Sequence, residues 1–244
     1  MIFTIPVASR VEDFDQEGLL TPHAVLSVFE NTAIRHAETT GYSPMGDSLR
    51  NGMAWVITNW RVEVARAPSY DQSLTASTWL CRTPRQATRE MLLRAADGEV
   101  LARGQAKLAL VDRATGKPCL PTADRLAPYG PETATAFADR LPRLRPPARW
   151  DAETPVRLRR ADIDYNGHLH NTAYLDLALD AAPDALCRAG VHTFRISYRR
   201  PLRPGDAPVL RSSALDAGGW AAAFVRGDEV CAVVAVNEVL APLP

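Results

Sequence analysis

Apolar positions along this chain fall into one helical run followed by several strand-like runs, and then the same order of runs occurs again. Residues 1–7 read as a strand. A polar loop follows and ends at Thr21-Pro22, where threonine suits a helix N-cap and proline the first helical turn. Val25, Val28, Phe29, Thr32 and His36 then recur at helical spacing as far as Gly41, which is placed to end the helix. Segments 54–64, 73–81, 89–95 and 101–111 read as strands, with Asp97-Gly98 as the hairpin turn between the last two. A stretch rich in Pro and Arg, from about 128 to 150, reads as a linker holding a short helix near 132–140. Beyond it the order returns. A strand is expected at 154–159 and a helix from Asn171, interrupted near Pro183 and stopped at Gly190. Strands follow at 193–199, 208–214, 220–226 and 229–240, with Gly227-Asp228 turning the last hairpin.

The repetition is also literal. Asp13-Phe14-Asp15-Gln16-Glu17-Gly18-Leu19-Leu20 aligns without a gap on Asp162-Ile163-Asp164-Tyr165-Asn166-Gly167-His168-Leu169. One helix followed by a run of neighbouring strands favours an α+β unit, with an antiparallel sheet wrapped around the helix. Small residues along the second helix (Ala173, Ala178, Ala181, Ala182) would let a sheet approach closely. That is the hotdog arrangement, and two in tandem make a double hotdog. The expected division is an N-terminal hotdog over 1–128, a linker over 129–149 and a C-terminal hotdog over 150–244.

Bulk composition narrows the class. The 244 residues are 46% hydrophobic and 23% charged, as in a globular protein, and carry no net charge. Nothing global therefore favours nucleic acid or an anionic membrane surface. No run approaches a membrane span, and the N-terminus lacks the pattern of a secretory signal. Cys81, Cys119, Cys187 and Cys231 lie far apart without metal-site spacing, so no metal, no disulfide framework and a cytoplasmic setting are expected.

The two copies differ in their chemistry. Where the first has Glu17 and Leu19, the second has Asn166 and His168. Asp164, Asn166 and His168 occupy alternate positions, so in an extended loop all three side chains point the same way. Histidine moves protons near neutrality, a carboxylate can act as base, nucleophile or orienting partner, and an amide can stabilise an oxyanion or align water. Backbone N–H groups of residues 167–172, at the start of the helix, can polarise a carbonyl. In the first copy Pro22 takes the place of Asn171 and removes one such donor. Residue types and spacing alone also fit an ordinary turn and helix cap. The loss of Asn and His from the first copy favours function.

The segment from Asp162 to Tyr174 resembles the D-L-D-x-N-x-H-V-N-N-x-x-Y signature of the acyl-acyl-carrier-protein thioesterases, which include plant and bacterial members. Residues 51–58, 32–41 and Ser197-Tyr198-Arg199-Arg200 are similar to other segments of that family, in order, over nearly the whole chain. The resemblance implies a double-hotdog hydrolase that cleaves fatty-acyl thioesters on acyl carrier protein or coenzyme A, without a cofactor, as a monomer or homodimer. Its catalytic aspartate, asparagine and histidine fall on Asp164, Asn166 and His168. The plant enzymes follow their Y-R-R segment with Glu-Cys, whereas here Pro201 and Leu202 stand there and can neither activate water nor supply a thiolate. Asp162 and Asp206 are the nearby carboxylates that could replace the glutamate. A non-hydrolytic acyl- or carrier-binding module and a hotdog hydratase or dehydratase remain the other readings. Arginines at 140, 143, 145, 149, 199, 200 and 203 are candidates for docking an acidic carrier, or simply a solvated face. Trp55, Trp60 and Trp79 read as core, or as lining for an acyl chain.

Overall fold

In the computed structural model, residues 1–42, 46, 51–83, 86–139, 143–216 and 218–238 are described. The chain forms two compact units, Met1–Ala138 and Asp139–Pro244, divided within the stretch read as a linker.

The first unit contains β1 (Phe3–Pro6), α1 (Pro22–Thr39), β2 (Met53–Val64), β3 (Leu74–Thr83), β4 (Gln86–Ala95), β5 (Val100–Asp112), the short β6 (Pro118–Cys119) and α2 (Ala123–Leu126). Its sheet is antiparallel in the order β1-β3-β4-β5-β2, with β6 added to β5. The second unit contains β7 (Ala152–Pro155), α3 (Asn171–Asp180), α4 (Asp184–Arg188), β8 (Thr193–Tyr198), β9 (Val209–Ala214), β10 (Trp220–Arg226) and β11 (Glu229–Val236). Its strands pair antiparallel in the order β7-β9-β10-β11-β8. The two orders are the same topology. Each unit is the helix-on-antiparallel-sheet hotdog that the sequence pattern predicts.

Helix α1 starts as expected, with the Thr21 hydroxyl accepting from the Ala24 N–H at 3.2 Å and Pro22 in the first turn. Its apolar stripe, including Val25, Leu26 and Phe29, is buried. The Phe29 ring packs over Gly104 of β5 so closely that a Cβ there would lie 2.8 Å from two ring carbons, which is why that strand position holds glycine. In the second unit α3 is shorter because Pro183 breaks the run, and Ala173 and Ala178 are buried in it. Strand β7 lies two residues earlier than expected and ends at Pro155, beyond which the chain bends into a 3-10 turn over Arg160–Asp162.

The linker stretch departs from expectation. Residues 132–139 are not helical (position 140 lies outside the described residues), and the helix present is α2, capped by Thr122. Residues 132–137 instead form a strap on the outer face of the first sheet. There the Glu132 N–H donates to the Leu80 carbonyl, the Trp79 indole donates to the Ala134 carbonyl at 2.7 Å, and Phe137 lies buried beneath the Arg61 guanidinium, 3.9 Å from it. Glu90, fully buried, accepts from the Ala136 N–H, Thr88 and Gln105 on that face. In the second unit Leu144 and Trp150 cover Ala221, Ala223 and Val233. That cover explains why β10 is buried on both faces. Trp60 and Trp79 are core residues, and Trp55 packs against a cluster containing Leu80 and Ala37.

On the inner face of the first sheet Arg89 meets helix α1. Its guanidinium lies 2.8 Å from His36 Nδ1, and the His36 ring stacks on Phe3 and meets Tyr129 edge-on. Burial, the adjacent Arg89 charge and the amino terminus together lower the His36 pKa from 6.5 to about 4. The imidazole is therefore neutral when folded, and its contribution to stability is complete above pH 6.5. As pH falls from 6.5 towards 4 that contribution is lost, because the unfolded chain binds the proton first. His36 alone should cost about 2 kcal/mol of unfolding free energy at pH 5 relative to pH 7. Urea unfolding of wild type and His36→Gln at both pH values should show the wild type losing more by that amount. Equal losses would disprove it.

Candidate active site

The polar motif of the second unit is a closed loop between the 3-10 turn and α3. Asp162 anchors its start, since Arg159 donates to both carboxylate oxygens at 2.7 and 2.8 Å. The Arg159 hydrogen bond holds the Asp162 carboxyl below its usual range. The loop closes where the Asp164 N–H donates to the His168 carbonyl (2.8 Å) and Gly167, at φ 73°, turns the chain. Asp164 Oδ1 accepts from the backbone N–H groups of Asn166 (2.9 Å) and His168 (3.1 Å). Its Oδ2 lies 3.4 Å from the Asn166 side-chain nitrogen. Asp164, Asn166 and His168 are half-buried while Tyr165 and Gly167 between them are exposed. The loop thus brings the Asn166 amide to the Asp164 carboxylate and ties His168 to it through the backbone N–H, with burial alternating along the motif.

The first unit builds the same loop. Asp15 Oδ1 accepts from the N–H groups of Glu17 (3.0 Å) and Leu19 (2.8 Å), the Asp15 N–H donates to the Leu19 carbonyl, and Gly18 sits at φ 73°. An aspartate in this place is therefore a structural requirement of both loops. Asn166 and His168 are not required for closure, since Glu17 and Leu19 serve in the same positions.

The helix starts differ in the same sense. Thr21 caps α1, whereas the His170 side chain makes no cap hydrogen bond to α3; its Nδ1 lies 2.8 Å from the Thr172 hydroxyl. Helix α3 also begins with Asn171, which has an N–H, where α1 begins with Pro22. The N-terminal N–H groups of α3, directly after His168, are suited to polarise a carbonyl oxygen.

A second tie comes from the segment after β8. Leu169 donates its N–H to the Leu202 carbonyl at 2.8 Å, and the Leu202 N–H donates to the Tyr174 hydroxyl at 3.2 Å. Burial pushes the Tyr174 phenol up to about 12, so it stays neutral. The Tyr198 hydroxyl donates to the Asn171 carbonyl at 2.8 Å. Leu202 is fully buried and Pro201 exposed. Neither Asp162 nor Asp206 stands ready as a replacement base. The first is held by Arg159, and the second accepts from the Arg203 N–H and the Arg226 guanidinium, which together lower its pKa. Cys81 and Cys231 are buried and their thiols are pushed up by that burial. Among the described residues no three His, Cys, Asp or Glu side chains gather as a metal site requires. No described helix is long and apolar enough to cross a membrane.

The arginine cluster is thinner than the sequence suggests. Arg199 turns in to donate to the Leu144 carbonyl and Arg200 pairs with Glu229, while Arg143, Arg145, Arg149 and Arg203 are exposed. Arg140 lies outside the described residues.

A family model described as the Acyl-ACP thioesterase N-terminal domain matches residues 3–129, and one described as the Acyl-ACP thioesterase C-terminal domain matches residues 147–214. The chloroplastic oleoyl-acyl carrier protein thioesterase 2 of Arabidopsis thaliana is 24% identical over 205 residues, covering 76% of this chain and 56% of its own length. The chain thus spans little more than half of that relative. The solved 12:0-ACP thioesterase from Umbellularia californica superposes with a TM-score of 0.84 at 18% identity, over 96% of each chain. An acyl-ACP thioesterase from Bacteroides thetaiotaomicron gives the same TM-score at 19% identity, again over 96% of each. These superpositions show that the fold is shared over 96% of the chain.

Proposed function

Because the chain belongs to the acyl-ACP thioesterase family, we propose that it hydrolyses thioesters of fatty-acyl or related chains carried on acyl carrier protein or coenzyme A, releasing the free acid. The observation that carries this reading is the doubled loop: one backbone built twice around an aspartate, with Asn166 and His168 in its sequence only in the second unit. The thioester carbonyl is polarised by N–H groups at the start of α3. Asp164 Oδ1 is committed to two backbone N–H groups, which leaves Oδ2 to orient a water together with the Asn166 amide. His168 takes the proton from that water as its oxygen attacks the carbonyl carbon, and returns it to the departing thiolate. Such a reaction needs no metal or redox cofactor. Four free cysteines fit a reducing, cytoplasmic setting.

Pro201, standing where the plant enzymes carry glutamate, keeps a non-hydrolytic acyl-carrier-binding reading in play. The deciding experiment is a thiol-release screen over acyl length on both carriers. Saturable release is expected from at least one acyl-ACP or acyl-CoA. Tight acyl-carrier binding with no thiol released at any length would select the binding module instead.

A further inference from the structure

Hydrogen bonds fix which residues of the two units are counterparts beyond the motif itself. Leu20 donates to the Pro68 carbonyl as Leu169 donates to that of Leu202. Ala65 and Arg66 both donate to the Leu101 carbonyl as Arg199 and Arg200 both donate to that of Cys231. Val64 is therefore the counterpart of Tyr198, and Pro68 that of Leu202. The gapless motif alignment makes Val25 the counterpart of Tyr174 and Pro22 that of Asn171.

Every polar group of the second set has an apolar or donor-free counterpart in the first. The two tyrosine hydroxyls become valines, and the Leu202 N–H becomes a proline nitrogen. The first unit folds the same loop without them, so the fold does not require them. They occur only where Asn166 and His168 occur.

We infer that Tyr198 and Tyr174 are positioning residues for the reaction, and that Tyr198 acts by setting the Thr172 N–H at the start of α3. The inference rests on the hydrolase reading above. Tyr198 donates to the Asn171 carbonyl at 2.8 Å, and the same planar peptide carries the Thr172 N–H on its opposite side. Fixing that carbonyl fixes the direction of the N–H, which points out of the helix N-terminus. A hydrogen bond accepted by the carbonyl also polarises the amide and strengthens its N–H as a donor. Tyr174 acts through the segment after β8. Its hydroxyl accepts from Leu202, whose carbonyl accepts from Leu169, the residue after His168. Helix α3, the β8 exit and the motif loop are thereby locked together by these hydrogen bonds.

The test is Tyr198→Phe and Tyr174→Phe in the full chain, read by kcat and KM for thiol release, thermal melting and the amide proton resonance of Thr172. For Tyr198→Phe, kcat should fall about tenfold with KM held, because the lost hydrogen bond aligns a donor used most in the transition state. Melting should stay close to wild type, and the Thr172 amide resonance should move. Tyr174→Phe should lower kcat in the same sense and leave the Thr172 amide in place. Wild-type kcat in Tyr198→Phe, an unmoved Thr172 amide, or a loss that follows melting would overturn the inference while the hydrolase reading stands. A wild-type protein that releases no thiol would instead overturn that reading, and the positioning role with it.

Discussion

Replacing His168 with alanine is expected to lower thiol release by about 10²–10⁴-fold, the span typical of a lost general acid–base group. The same variant should melt close to wild type. The loop is closed by the His168 backbone, whose carbonyl accepts from the Asp164 N–H and whose N–H donates to Asp164 Oδ1. Leu19 makes the same two backbone bonds in the first unit with no imidazole at all. A large loss of turnover without a loss of fold can therefore be assigned to the ring. Leu19→Ala at the counterpart position supplies the control, with turnover kept. If His168→Ala turned over within a few-fold of wild type, the imidazole would have no part in the chemistry and the site assignment would fall.

Much of the fold is legible in the chain because each unit relies on local signals. Thr21-Pro22, Gly41, Asp97-Gly98 and Gly227-Asp228 mark ends and turns through backbone requirements that depend on few neighbours. The motif loop was legible for the same reason, since the bonds around Asp164 run between residues at most four apart. The strap was not. Residues 129–150 have no periodicity, and their burial comes from single anchors such as Phe137 and Leu144 meeting distant strands. Nor were the tyrosine ties, because Tyr198 and Asn171 are 27 positions apart and only the packing of α3 against the sheet joins them. A usable signal was present nonetheless. Asp15 aligns with Asp164, so the aspartate belongs to what both copies need, whereas the valines opposite Tyr174 and Tyr198 mark those hydroxyls as special to the second copy.

That shared aspartate calls for a paired experiment. Asp15→Ala and Asp164→Ala each remove a carboxylate that accepts two backbone N–H groups of its own loop. Each should cost about 1–3 kcal/mol of unfolding free energy, less wherever water replaces the lost acceptor. Their effects on turnover should differ widely. Asp15→Ala is expected to keep thiol release near wild type, while Asp164→Ala loses about 10²–10⁴-fold, because only its loop carries His168 and an amide, that of Asn166, beside Oδ2. Subtracting one variant from the other removes the structural cost that both share. Asp164→Asn then separates charge from framework, for its amide oxygen can still accept from Asn166 and His168. It should recover most of the stability and little of the turnover. Full activity in Asp164→Asn would mean that the carboxylate only shapes the loop, and the reaction would then have to run on His168 and Asn166 alone.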